Sequence, residues 1–263
     1  MKKILWFVLP LSLLFPTKLS AQSLFNGTWK LDPETAQTQA KPDVYLLKDG
    51  IYDCSTCDPP LHLNADGSDQ KITGDSCYDT VNVKILDDNT IEVTYRKNGS
   101  PVETSTTSVS PDGKTATTNW TSRCNPKGEP ISVKYIETRV DAAPPGAHVI
   151  SGSWRLTKRI KQSDSVFTGT VKLEGDNFSF SDPVGYGYTA KLDGTETPMG
   201  GTQGKEMVSV KRLAENVVEE THKEDGKVTE IVRYTVSAGG KTMTITIAHP
   251  ISGTTTTYAA EKQ

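Results

Sequence analysis

The stretch VNVKILDDNTIEVTYRKNGSPVETSTTSVSPDGKTAT, Val81 to Thr117, returns without a gap as VSVKRLAENVVEETHKEDGKVTEIVRYTVSAGGKTMT, Val208 to Thr244. The offset is a constant 127 residues, and 15 of the 37 pairs are identical. Gly27-Thr28-Trp29-Lys30-Leu31 is echoed by Gly152-Ser153-Trp154-Arg155-Leu156, and Asp66-Gly67 by Asp193-Gly194. The chain therefore reads as two copies of one domain. Within the repeat, Val81 to Ile85 and Thr90 to Arg96 alternate apolar and polar residues, as do Ser132 to Ile136 and Met243 to Ile247. Such alternation puts every second side chain on one face of a strand. Asp49-Gly50, Asn98-Gly99, Asp112-Gly113, Asp193-Gly194 and Asp225-Gly226 punctuate these runs with residues that accept the positive φ of tight hairpin turns. Each copy is thus a succession of antiparallel hairpins, about eight to ten strands long. Asp32-Pro33-Glu34, a cap followed by a first-turn proline and an acid, predicts at most one short helix per copy.

A sheet this long in so small a domain has to close, because open edges invite pairing with other chains. Sequential hairpins favour an up-and-down barrel, so the expected fold is all-β, with two tandem homologous antiparallel β-barrels. The Gly-x-Trp that opens each copy, at Gly27 to Trp29 and Gly152 to Trp154, resembles the opening of the lipocalins and fatty-acid-binding proteins, the calycin group. The mature chain also resembles secreted bacterial proteins of unknown role that carry one or two such domains with a Val-Ser-x-Asp-Gly-Lys-Thr hairpin, here Val109 to Thr115. The resemblance implies lipocalin-like barrels that take up a small apolar molecule, with Trp29 and Trp154 as core residues that plug them.

Residues 1–21 read as a signal peptide: Lys2 and Lys3, an apolar run from Ile4 to Phe15, then Leu19-Ser20-Ala21 before Gln22. The run is short for a bilayer span and no second one follows, so the expectation is an exported chain, periplasmic or extracellular, with no membrane span in its mature form. The expected domains are 22–140 and 151–263, joined by a Pro- and Ala-rich linker at 141–150. The formal net charge of −3, with both signs interspersed, argues against a nucleic-acid partner, which would call for a basic stripe. Cys54, Cys57, Cys77 and Cys124 all lie in the first copy, and in an exported protein they imply disulfides with three connectivities open. Cys54 with Cys57 and Cys77 with Cys124 is the favoured pairing. Pro59-Pro60 argues against the helix of a redox-active Cys-x-x-Cys, and Cys77 and Cys124 do not form the second Cys-x-x-Cys of a zinc site.

No metal-binding histidine spacing, nucleophile elbow or phosphate-cradling glycine loop stands out, so neither catalytic residues nor a cofactor are assigned. The sharpest local signal comes from comparing the copies. Ile91, Val93 and Tyr95 form the apolar face of one strand, and their counterparts are Val218, Glu220 and His222. If that face points inward, the second barrel holds a carboxylate and an imidazole, and Glu220, His222 and Tyr188 are the candidate ligand-binding residues. If the strand is bulged or at an edge, Glu220 and His222 lie in solvent. The expected function is non-catalytic binding of a small apolar or amphipathic molecule. Two further readings stay open: a protein-protein interaction module with filled barrels, and an enzyme.

Overall fold

The computed structural model describes residues 22–263, apart from residues 58, 74–76, 164–166 and 203–204. The signal-peptide reading of 1–21 lies outside the described residues. After one helical turn, α1 (Gln22–Phe25), the first half holds β1 (Gly27–Gln39), β2 (Asp43–Lys48), β3 (Ile51–Cys54), β4 (Leu61–Asn64), β5 (Gln70–Lys71), β6 (Thr80–Asp87), β7 (Thr90–Lys97), β8 (Ser100–Val109), β9 (Thr115–Ser122) and β10 (Ile131–Asp141). The second half holds β11 (Gly152–Gln162), β12 (Thr168–Glu174), β13 (Asn177–Ser181), β14 (Gly187–Lys191), β15 (Asp193–Pro198), β16 (Glu206–Ala214), β17 (Val217–Glu224), β18 (Lys227–Val236), β19 (Thr242–His249) and β20 (Thr254–Lys262). These form two ten-stranded antiparallel sheets, each nearly closed into a barrel. Asp49-Gly50, Asn98-Gly99 and Asp225-Gly226 have positive φ at both residues, as hairpin turns of this kind require. Asp193-Gly194 instead opens β15 at a register shift against β16.

The sheets do not follow the repeats. The first barrel runs β4-β3-β2-β11-β10-β9-β8-β7-β6-β5 and the second β14-β13-β12-β1-β20-β19-β18-β17-β16-β15. The opening Gly-x-Trp strand of each repeat is therefore built into the barrel of the other. Both copies present the same motif, so either strand fits either barrel, the condition under which identical elements exchange. The connection after β1 favours exchange: Ala40-Lys41-Pro42 is short, and a residue before proline is held extended, so the chain runs on instead of folding back. Two sequence expectations are corrected here. The 141–150 segment is not a linker between barrels but the connection from β10 to β11, which are paired neighbours in the first barrel. Asp32-Pro33-Glu34 forms no helix: Glu34 N donates to Asp32 Oδ1 and Thr35 Oγ1 to Asp32 O, while Ala259 N donates to Thr35 Oγ1. Local side-chain bonds thus make a bulge between Asp32 and Gln37 in a continuing strand.

Trp29 is buried in the second barrel's core and Trp154 in the first. Each indole donates to the carbonyl four residues earlier, Trp29 to Phe25 at 2.8 Å and Trp154 to Ile150 at 2.7 Å. A cation from the last strand of a repeat covers each ring: Lys262 at 4.9 Å from the Trp29 centroid and Arg139 at 4.0 Å from that of Trp154. Arg139 also donates to the carbonyls of Gly113, Val149 and Ser151, tying the β10–β11 connection to the barrel end. Gly152 is demanded by this arrangement, since at φ +116° a Cβ would lie 2.3 Å from Asp141 O. Disulfides join Cys54 to Cys57 and Cys77 to Cys124, the favoured pairing.

Exchange makes the repeats inseparable. With a protease site inserted between Ala143 and Pro144, the cut halves are expected to co-elute as one species in native gel filtration and to part only in denaturant. Separation of the halves in native buffer would contradict the exchanged topology.

Candidate functional site

Glu220 and His222 point inward. On β17, Glu220 is flanked by Val210 of β16 and Val232 of β18, and His222 by Val208 and Glu230. Alternation puts both on the face of buried Val218, and they are only 2% and 5% exposed. A buried carboxylate costs several kcal/mol unless it is bonded. Glu220 has three partners: Tyr188 Oη donates to Oε1, Tyr234 Oη donates to Oε2 at 3.2 Å, and His222 Nε2 lies 3.2 Å from Oε2. His222 Nδ1 meets Glu206 Oε1 at 2.7 Å, and Glu230 stands 4.0 Å from Nε2. His249 Nδ1 in turn lies 3.6 Å from Glu230.

The electrostatics follow from these partners. Burial alone would lower the His222 pKa, but the hydrogen bonds to Glu206 and Glu220, with the charges of Glu220 and Glu230, outweigh it and raise the imidazole to about 10. His222 is thus an imidazolium with both nitrogens engaged, so it has no lone pair with which to accept a proton near neutral pH. Burial, and next the charge of Glu220, pushes the phenols of Tyr188 and Tyr234 well above their ordinary value, so both stay neutral donors. Burial also raises Glu230, against the pull of His222 and His249.

This network forms one end of a cavity of about 380 Å³ in the second barrel. Its wall is largely apolar, with Trp29, Phe180, Met243 and Ile245 among the lining residues, while its polar lining includes Glu206, Glu220, His222 and Glu230 together with Asp182 and Thr168. The cavity is thus lined partly by the strand contributed by the first repeat. Tyr188 reaches the network by its hydroxyl and is not itself in the wall. Among the described residues no group of three or more His, Cys, Asp or Glu side chains is placed to hold a metal ion.

Sequence comparison of the repeats picks out Glu220 and His222 but not Glu206 and Glu230, nor an acid pair in the first barrel. There Glu137 is 2% exposed and hydrogen-bonded to Asp43. Burial first, then the Asp43 charge, raises Glu137 to about 8; burial also raises Asp43. The two carboxyls share a proton between β10 and β2, on either side of the exchanged β11, where Glu137 pairs with Leu156 and Asp43 with Trp154. The signal was present in the repeats: Arg139 pairs with Trp154 as Lys262 pairs with Trp29, so Glu137 corresponds to Ala260, an acid against an alanine on an inward face.

These shifts set the pH dependence of stability. Glu137 has a folded pKa of about 8 against an ordinary 4.5, so its protonation favours the fold and stability falls as pH rises between those values. His222, at about 10 against 6.5, contributes stability fully present below pH 6.5 and lost as pH rises through about 10. Glu137→Gln keeps a neutral donor beside Asp43 and removes the first of these losses. In thermal unfolding it is expected to match the wild type at about pH 5 and to exceed it at about pH 9 by roughly 4–8 °C. A curve parallel to the wild type would show that the shared proton is absent.

No family model matches the chain, and no curated protein does. Among solved structures it is similar to TolB from Acinetobacter baumannii, at 13% identity over 84% of this chain, with a TM-score of 0.18. The chain covers 64% of that structure, and a similarity this low carries no inference about fold or function.

Proposed function

We propose that the chain is an exported, non-catalytic binding protein for a small amphipathic molecule, held in the second barrel with its apolar body against the Trp29 wall and a cationic or donor-rich head at Glu220. The observation that carries this reading is the cavity itself, an apolar space ending in a fixed acidic network. Its volume of about 380 Å³ lies in the range of small-molecule sites, which are mostly apolar with a few placed polar groups. Glu206, Glu220 and Glu230 place three carboxyl groups around the single imidazolium of His222, so the polar end is rich in acceptors that suit a cationic or donor-rich head. A protonated, doubly bonded His222 suits positioning better than proton abstraction, which supports binding over catalysis. The lipocalin-like resemblance of the Gly-x-Trp strands points the same way. Two disulfides, and the lack among described residues of a helix long and apolar enough to cross a membrane, are compatible with export.

Dansylcadaverine and N-dansyl-6-aminohexanoic acid share a fluorescent body and differ in terminal charge. The amine is expected to bind with a Kd on the order of 10 µM, and the acid about tenfold more weakly or worse. Glu220→Val, which installs the residue found at the corresponding Val93, should erase that preference. Gly27 pairs with Val171 as Gly152 pairs with Tyr45, so Val171→Tyr installs the residue at the same place in the first barrel; it should fill the cavity and abolish binding of both probes while the barrel stays folded. Equal binding of the two probes, or none by either, would overturn the reading.

A further inference from the structure

The connection between β9 and β10 is longer than its counterpart in the other repeat: residues 123–130 join these strands, whereas only residues 250–253 join β19 to β20. The longer loop leaves its own barrel and lies on the second one. Tyr186 Oη donates to Cys124 O at 3.2 Å, Lys127 N to Val184 O at 3.3 Å, and Lys127 Nζ to Pro183 O at 2.5 Å. Pro126 sits so close to Gly201 that a Cβ there would come within 2.3 Å of its ring. The loop is braced internally by Asn125, whose side chain bonds Glu129 N and O, and by Arg123 Nη1 donating to Gly128 O. Near its start it is held by the Cys77–Cys124 disulfide.

Below this loop lies a cleft lined by Cys77, Cys124, Asn125 and Pro126 from the first barrel and by Tyr186 and Glu206 from the second. Tyr186 and Glu206 also line the second barrel's cavity, so the loop stands over its acidic end. We propose that residues 124–129 are a lid on the second barrel, pinned shut by the Cys77–Cys124 disulfide, and that exchange of ligand requires this loop to lift. This rests on the cavity being the ligand site, and it gives the one-sided cysteines a role: the repeat without the cavity supplies the gate.

Accessibility can be read without any ligand. Met243 is 2% exposed and lines the cavity, whereas Met207 lies outside it. In the full chain, peroxide oxidation of Met243, followed by peptide mass spectrometry with Met207 as reference, is expected to speed up roughly fivefold or more in Cys77→Ser/Cys124→Ser, because opening becomes easier. Pro126→Ala/Lys127→Ala, which keeps the disulfide and removes the Pro126 ring contact and the Lys127 Nζ bond to Pro183 O, should speed oxidation in the same direction, so the test survives if the cysteine variant folds poorly. Stopped-flow mixing with dansylcadaverine should then show faster association and dissociation in both variants. Unchanged Met243 oxidation in both variants would overturn the lid. Faster oxidation with no dansylcadaverine binding would uphold the lid and sink the ligand reading instead.

Discussion

Each barrel is closed by a tryptophan that the other repeat supplies, and the rest of the molecule depends on that exchange. Trp29 packs with Phe178 and Tyr234 in a core whose other strands all come from the second repeat, and Trp154 packs with Leu47 and Val81 of the first. In this topology neither repeat completes its hydrophobic interior from its own strands alone, so each barrel's core is shared between the two. The cations over the indoles reinforce this. Arg139 and Lys262 each sit on the final strand of one repeat and cover the ring borne by the opening strand of the other. Both opening strands carry the same Gly-x-Trp and meet a cation from the other repeat's final strand, so exchange adds a mutual tether between the barrels.

On this shared scaffold the repeats place different chemistry at equivalent positions. A carboxyl inside a barrel must be paired or neutralised. The second barrel meets that demand with donors, giving Glu220 two phenols and an imidazolium. The first meets it with a proton, since Glu137 has Asp43 for a neighbour and the two share one hydrogen. The outcomes differ physically: a carboxyl held by donors at one end of a cavity, and an acid pair wedged beside a closing strand.

Much of this was legible in the residues because the barrel's alternation is strict. The alignment of Glu220 and His222 on Val93 and Tyr95 raised an inward placement beside a solvent-facing one, and the alternating runs with Asp-Gly or Asn-Gly turns pointed to about eight to ten strands per copy. What stayed hidden was whatever depends on pairing between distant strands. Either Gly-x-Trp strand satisfies either barrel, so local pattern cannot say which is used, and a Pro-rich segment that joins paired neighbours looks the same as a linker. Asp32-Pro33-Glu34 misled for a related reason. Its side-chain bonds cap a helix or brace a bulge equally well, and the neighbouring strand β20 decides between them. Glu206 and Glu230 join the site only because their strands flank His222.

The cavity itself has an origin in the repeat. Gly152 pairs with Tyr45 and Trp154 with Asp43, while Gly27 pairs with Val171 and Trp29 with Gly169. Tyr45 therefore corresponds to Val171, Asp43 to Gly169 and Glu137 to Ala260. In the first barrel those three side chains occupy the interior, with the Tyr45 ring stacked on Tyr52 at 6.2 Å. In the second barrel the same positions carry a valine, a hydrogen and a methyl group, and Val171 and Gly169 line the cavity. Val171 in place of a tyrosine leaves part of that interior open, whereas Phe180 packs so close to Gly169 that a Cβ there would lie 2.7 Å from its ring. A close-packed barrel gives up such packing at a cost in stability, and the loss falls beside Trp29 and opposite the acidic network. That placement puts an apolar space against the acidic side chains of the second barrel, at positions where the first carries Tyr45 and an acid pair.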